Sequence, residues 1–115
     1  MLQEEKSQII VDKEGGLRRL GGDQEIYNEL MELFIDQTTE QVEQLKEAVK
    51  NRTAESVQKI AHSIKGAAAN LGVMVVQKTA FELEQIGSNN ELDDAEKLLS
   101  KLIFEFERAK QYWEN

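Results

Sequence analysis

The sequence contains no cysteine and no proline among its 115 residues, and only one histidine. Without cysteine, disulfides, thiolate nucleophiles and cysteine zinc sites are excluded. Without proline, nothing in the chain removes a helix backbone donor or clashes one turn back, which suits long uninterrupted helices. Aromatic residues make up only 6%, a composition that argues weakly against β-sheet. Positive charge is also short: 14 Lys and Arg stand against 22 Asp and Glu, a formal net charge of −8. Such a chain is a poor match for DNA, RNA or an anionic membrane surface, all of which need a positive footprint; solubility alone would also explain the acidity. No apolar run approaches the length needed to cross a bilayer. The opening MLQEEKSQIIVDKE has no basic start followed by a long apolar stretch, so no signal peptide is expected and the default address is the cytoplasm.

What remains is one domain with helical periodicity, long enough to bury a core without metals or cross-links. Residues 1–11 show little pattern and are expected to be a flexible N-terminal segment, leaving 12–115 as the folded unit. Asp12 can cap a short helix ending near Leu20, with Gly21-Gly22 supplying a left-handed stop. Asp23 then caps a long helix from Gln24 to about Lys50, with a stripe of Tyr27, Leu30, Met31, Phe34, Val42, Leu45 and Val49. After the break Asn51-Arg52-Thr53, with Thr53 a candidate cap, a third helix runs from Ala54 to about Leu71 and closes at Gly72. A fourth runs from about Met74 to Ile86 with Val76, Ala80, Leu83 and Ile86 on one face, and stops in Gly87-Ser88-Asn89-Asn90. The last, Glu91 to about Trp113, repeats Leu92, Ala95, Leu99, Leu102, Phe106 and Ala109. Four amphipathic helices with short connections predict an all-α, antiparallel up-down four-helix bundle with a short additional N-terminal helix.

A lone histidine in a helix is more often structural than chemical, so His62 must be placed on its helix. At about 100° per residue, Glu55, Gln58, Lys59, Lys65, Gly66 and Ala69 fall within roughly 60° of it. Val57, Ile60, Ile64, Ala67, Ala68 and Leu71 fall on the opposite side. His62 thus occupies the middle of a polar and small face, away from the core stripe. Lys65 is close enough on that face to hold the oxygens of a phosphoryl group on the imidazole. Gly66 sits in mid-helix, where glycine costs about 1 kcal/mol relative to alanine. On an outward face that cost points to a need for open space, as a phosphoryl donor would require. Side-chain imidazoles titrate near 6.5, so neutral nucleophilic nitrogen is plentiful at cellular pH (about 7). Nothing near His62 is arranged to activate water, which suits a carrier.

The run Ala61-His62-Ser63-Ile64-Lys65-Gly66-Ala67-Ala68-Ala69-Asn70-Leu71-Gly72 resembles the signature of histidine phosphotransfer (HPt) domains. Leu20-Gly21-Gly22-Asp23, the Leu30 to Ile35 segment and Leu83-Glu84 resemble other parts of that family, and the likeness spans about residues 10–110. The resemblance implies a helical bundle whose histidine accepts phosphate from a receiver-domain aspartate and passes it to another receiver. It implies His62 as the phosphorylation site, Lys65 as the phosphate-steadying residue and Gly66 as the clearance position. Some members carry glutamine where Glu84 stands, to position the imidazole; a carboxylate can accept the imidazole N–H but repels a phosphoryl group held too near. Response-regulator receivers and a hybrid sensor histidine kinase are the implied partners. Docking is expected over Glu55, Gln58, Lys59 and Ala69, with Mg2+ carried by the receiver and no cofactor or metal on this chain, a monomer.

Rival readings fare worse on the residues. Zinc wants several His or Cys ligands and the chain offers one His. A di-metal bundle site wants Glu-x-x-His pairs, and Lys59 stands where that glutamate would be. Nothing singles out a carboxylate pair for hydrolysis among 22 acids. Two alternatives remain: the phospho-acceptor module of a chemotaxis-type histidine kinase, and a passive helical adaptor with an incidental His62. Leu33 and Ile35, flanking the second helix's stripe by roughly 100°, could lie partly exposed as a docking patch in either case, although residues so placed more often widen the core face.

Overall fold

The structure, a computed structural model, describes residues 10–114. Among them the order is α1 (Lys13–Arg19), α2 (Gln24–Lys50), α3 (Ala54–Leu71), α4 (Met74–Ser88), a single 3-10 turn (Leu92–Asp94) and α5 (Ala95–Glu114), with no strand. The four long helices close a ring in chain order: α3 packs on α2 and α4, and α5 packs on α4 and returns to α2. The 27-residue α2 sets the long dimension of the molecule, about 40 Å at 1.5 Å per residue. Short connections force each helix to run back along its predecessor, as an up-down bundle requires.

The helix starts follow local chemistry. Asp12 accepts from the Gly15 N–H at 3.1 Å and Asp23 from the Ile26 N–H at 3.0 Å, satisfying amides that helix N-termini leave free. Thr53 occupies the expected cap position of α3 without a side-chain cap bond. Gly72 takes φ 79°, the left-handed stop that glycine permits, and a Cβ there would lie 2.2 Å from the Asp12 carbonyl oxygen.

That close approach belongs to a clamp on the end of α3. The carbonyls of its last turn are all engaged. Ala68 accepts from Val73 N–H (2.9 Å), Ala69 from Gly72 N–H (3.3 Å), Asn70 from Arg19 (3.4 Å) and Leu71 from the buried Tyr27 hydroxyl (2.8 Å). Asp12 N–H then binds the Gly72 carbonyl at 2.6 Å. Gly16 makes room for this: a Cβ there would lie 2.6 Å from the Tyr27 ring and 2.7 Å from the Leu71 oxygen.

The core is one cluster of Tyr27, Met31, Phe34, Leu45, Val57, Ile64, Val76, Leu83, Leu102 and Phe106 with their smaller neighbours. Several expectations shift. Leu30, expected in the core stripe, is 37% exposed, because Tyr27, Met31 and Phe34 already fill the inner face and leave Leu30 at its edge. Of the two residues flanking the stripe, Ile35 is buried and widens the core face, while Leu33 is exposed. Helix α4 runs through Gly87 and ends at Ser88, within the expected stop Gly87–Asn90. The last helix starts at Ala95 rather than Glu91, since Asn90 turns left-handed (φ 56°) and Leu92–Asp94 coil more tightly. Residues 1–9 of the expected flexible segment lie outside the described residues; Ile10 packs on the core and Val11 is buried in it.

Candidate functional site

Gly87 determines how close α3 and α4 come. A Cβ at that position would sit 2.7 Å from the Gln58 backbone nitrogen and 3.0 Å from the Ala54 oxygen, so the two backbones meet there with no room for a side chain. One turn along each helix, the same close packing brings Glu84 of α4 against His62 of α3. Glu84 Oε2 lies 2.8 Å from His62 Nδ1, and Glu84 Oε1 lies 2.6 Å from Lys65 Nζ. The Lys65 contact is an ion pair rather than an aligned hydrogen bond. The imidazole is 66% exposed while the carboxylate beneath it is only 17% exposed.

The electrostatics fix the proton on the ring. The Lys65 ammonium, and after it the His62 N–H, hold the Glu84 carboxyl below the usual carboxylate range, overcoming the upward push of burial. Glu84 is therefore ionised and can only accept, so Nδ1 of His62 must carry the hydrogen. In the neutral imidazole this leaves the lone pair on Nε2, the ring nitrogen not bound to Glu84.

Lys65 is held from a second side. Its Nζ lies 5.3 Å from the centroid of the Phe81 ring, a side chain exposed to solvent on α4. Gly66 is exposed and has nothing within 4 Å of where a Cβ would project, so the surface one turn above His62 is open. On the other flank Gln41 of α2 donates to the Ser63 hydroxyl at 2.9 Å, tying α2 to the residue next to the histidine.

The residues predicted for this face sort into two groups. His62, Lys65 and Gly66 form a compact site with Glu84. Glu55 and Lys59 are exposed and pair with each other at 3.1 Å, while Gln58 and Ala69 are half-buried. Sequence reasoning missed Phe81 and Gln41. Phe81 had a signal, an aromatic off the Val76-Ala80-Leu83 stripe; Gln41 had none, because its role depends on which helix packs beside it. Among the described residues no group of three or more Asp, Glu or His side chains is placed to hold a metal ion, and no helix is long and apolar enough to cross a membrane.

Set beside known proteins, residues 29–112 match the Hpt domain family. Comparison with curated proteins gives no match. Among solved structures, the crystal structure of histidine-containing phosphotransfer protein B (HptB) from Pseudomonas aeruginosa PAO1 superposes with a TM-score of 0.86. It covers 94% of each chain at 23% identity, a likeness of fold. The family match spans most of the bundle and includes the histidine, the lysine and the glycine. The chain belongs to the Hpt domain family, the histidine phosphotransfer proteins of phosphorelays.

Proposed function

We propose that His62 is the phosphorylation site, taking a phosphoryl group from an aspartyl phosphate on one receiver domain and giving it to the aspartate of another. The observation that carries this reading is the exposed imidazole with Nδ1 bound to the largely buried Glu84 carboxylate, which leaves Nε2 as the ring nitrogen without that partner. In the forward step the Nε2 lone pair attacks phosphorus in line, the N–P bond forms, and the P–O bond to the receiver aspartate breaks. The leaving group departs as a carboxylate. Glu84 keeps the Nδ1 hydrogen bond throughout and stabilises the positive charge that grows on the ring as the bond forms. Because it holds the nitrogen away from the reacting one, its own charge lies on the far side of the ring from the phosphoryl oxygens.

Lys65 is the phosphate-steadying residue in this scheme. Its ammonium is shared between Glu84 and the open surface, and a short swing carries it to the phosphoryl oxygens. Gly66 provides the clearance for the incoming receiver. The Mg2+ that neutralises the rest of the charge belongs to the receiver. Docking extends over Gln58, Lys59 and Ala69, and onto α2 through Gln41. There Leu30 and Leu33 lie exposed on the same helical face, an apolar margin beside a polar centre. A hybrid sensor histidine kinase is the proposed source of the phosphate.

The test is transfer from a radiolabelled, phosphorylated receiver domain in the presence of Mg2+. Wild type is expected to take up label, and His62→Gln none. Label on His62→Gln would overturn the assignment. Label accepted only from a kinase domain, never from a receiver, would make the chain an acceptor module instead. Partner binding that survives His62→Gln, with no transfer by wild type, would make it an adaptor.

A further inference from the structure

Across the bundle from α3, the outer face of α5 carries a pattern that phosphotransfer does not use. Measured from Lys97 at about 100° per residue, Ser100, Lys101, Phe104, Arg108, Gln111 and Tyr112 all fall within roughly 60°. The acids of α5 (Glu96, Glu105, Glu107 and Glu114) fall outside that sector. In a chain with a formal charge of −8, this is a stripe of three cations without an anion of its own helix. Two large aromatics lie within it, Phe104 at 60% and Tyr112 at 54% exposed. The Arg108 guanidinium lies 5.7 Å from the Phe104 ring centroid, so charge and apolar surface are presented together. The only acid facing the stripe in a described ion pair is Glu82 of α4, 4.0 Å from Lys101 at its edge.

We infer that this stripe is a second docking surface, and that its occupant is an acidic amphipathic helix of a partner protein. Charge complementarity selects the class. A helix can place carboxylates at i, i+4 and i+11 to meet Lys97, Lys101 and Arg108, and an apolar side chain at i+7 to cover Phe104. Its other surfaces need carry no charge. DNA or an anionic bilayer would instead set a continuous sheet of phosphates against the whole acidic molecule, with three cations to offset it. From Lys97 to Tyr112 the stripe is about 22 Å long, some four turns of a packed partner helix. Since α5 packs on α4 and α2, its outer face is turned away from His62, and a helix bound there leaves the phosphotransfer face free. The site would hold a partner near while His62 exchanges phosphate with another. The inference does not depend on the role assigned to His62.

The probe is a synthetic helical peptide with Glu at i, i+4 and i+11 and Leu at i+7, with a control of scrambled order. Titrated into isotope-labelled full-length protein at low salt, it is expected to shift amide resonances of Lys97–Tyr112 and to spare those around His62. Lys101→Glu with Arg108→Glu is expected to weaken binding at least about tenfold. Phe104→Ala is expected to weaken it comparably, which attraction of charge alone would not produce. All three positions are exposed or half-exposed, and circular dichroism checks that the variants fold. Equal binding of the scrambled peptide, or shifts confined to α3, would overturn the proposal. So would tighter binding to phosphatidylserine vesicles or duplex DNA through the same residues. Self-association lost on the double charge reversal would make a second copy the occupant and overturn it as well.

Discussion

Two glycines on the faces of α3 and α4 should respond oppositely to the same substitution. At Gly66, in the middle of an exposed helical face, a Cβ meets nothing within 4 Å. Alanine there gains the full difference in helix propensity, about 1 kcal/mol, partly by restricting the unfolded chain. For a domain of this size that raises the melting temperature by about 4 °C. At Gly87 the propensity gain is smaller, because the residue is next to the last of α4. The new Cβ would lie 2.7 Å from the Gln58 nitrogen and 3.0 Å from the Ala54 oxygen, both backbone atoms that cannot rotate aside. Restoring an ordinary contact of about 3.5 Å requires the two helices to part by roughly 0.8 Å. Overpacking of this kind costs about 1–3 kcal/mol, so a net loss of about 1–2 kcal/mol is expected. The same displacement one turn away would stretch the 2.8 Å His62–Glu84 contact to roughly 3.6 Å, past the range of a hydrogen bond. The assay is urea unfolding of Gly66→Ala and Gly87→Ala beside wild type, followed by circular dichroism. If Gly87→Ala proves as stable as Gly66→Ala, the close approach of α3 and α4 is not what Gly87 provides.

Removing the ammonium with Lys65→Ala should slow phosphoryl transfer by about 10–100-fold while the bundle stays folded, at the cost of the stability Lys65 lends to Glu84; stopped-time labelling with wild-type kinetics would refute its role. Gly66→Leu should block receiver transfer while the bundle stays folded, whereas unfolding would mark Gly66 as a packing residue. Glu84 should make stability depend on pH. Lys65 and His62 hold its folded carboxyl below the usual range, so its contribution is fully present above the unfolded value, about 4.3, and is lost as pH falls through the folded one. The stability gap between wild type and Glu84→Gln should therefore close on acidification, and a gap constant with pH would refute this. Tyr27→Phe leaves the Leu71 carbonyl without its buried donor and should cost about 1–3 kcal/mol in chemical denaturation.

Much of this was legible in the sequence, for reasons that particular residues make plain. Helix ends at Asp12, Asp23 and Gly72 follow from chemistry within a few residues, and the placing of His62, Lys65 and Gly66 on one face follows from the period of a single helix. Leu30 was misplaced, and Leu33 and Ile35 were left undecided, because periodicity gives the direction of a stripe, not where a neighbouring helix stops covering it. The stop in Gly87–Asn90 was legible, but only the distance to Gln58 reveals that Gly87 also serves the contact between α3 and α4. Glu84 came closest to resolution. Its type raised the question of repulsion, and the answer lay in which ring nitrogen it meets, a fact of tertiary packing.

The clamp at the end of α3 bears on how tightly the chain can hold its partners. With the carbonyls from Ala68 to Gly72 all bound, three of them by Asp12, Arg19 and Tyr27 from earlier in the chain, the last turn of the histidine's helix is held against fraying. A protein docking on α3 as proposed would meet a helix already ordered, and association need not offset any ordering of it. Preorganisation lets a modest contact area serve a brief encounter, and release after transfer requires no refolding. Under the proposed function, a carrier that binds and releases receivers gains speed from rigidity at the one place where a loose helix end would have slowed it.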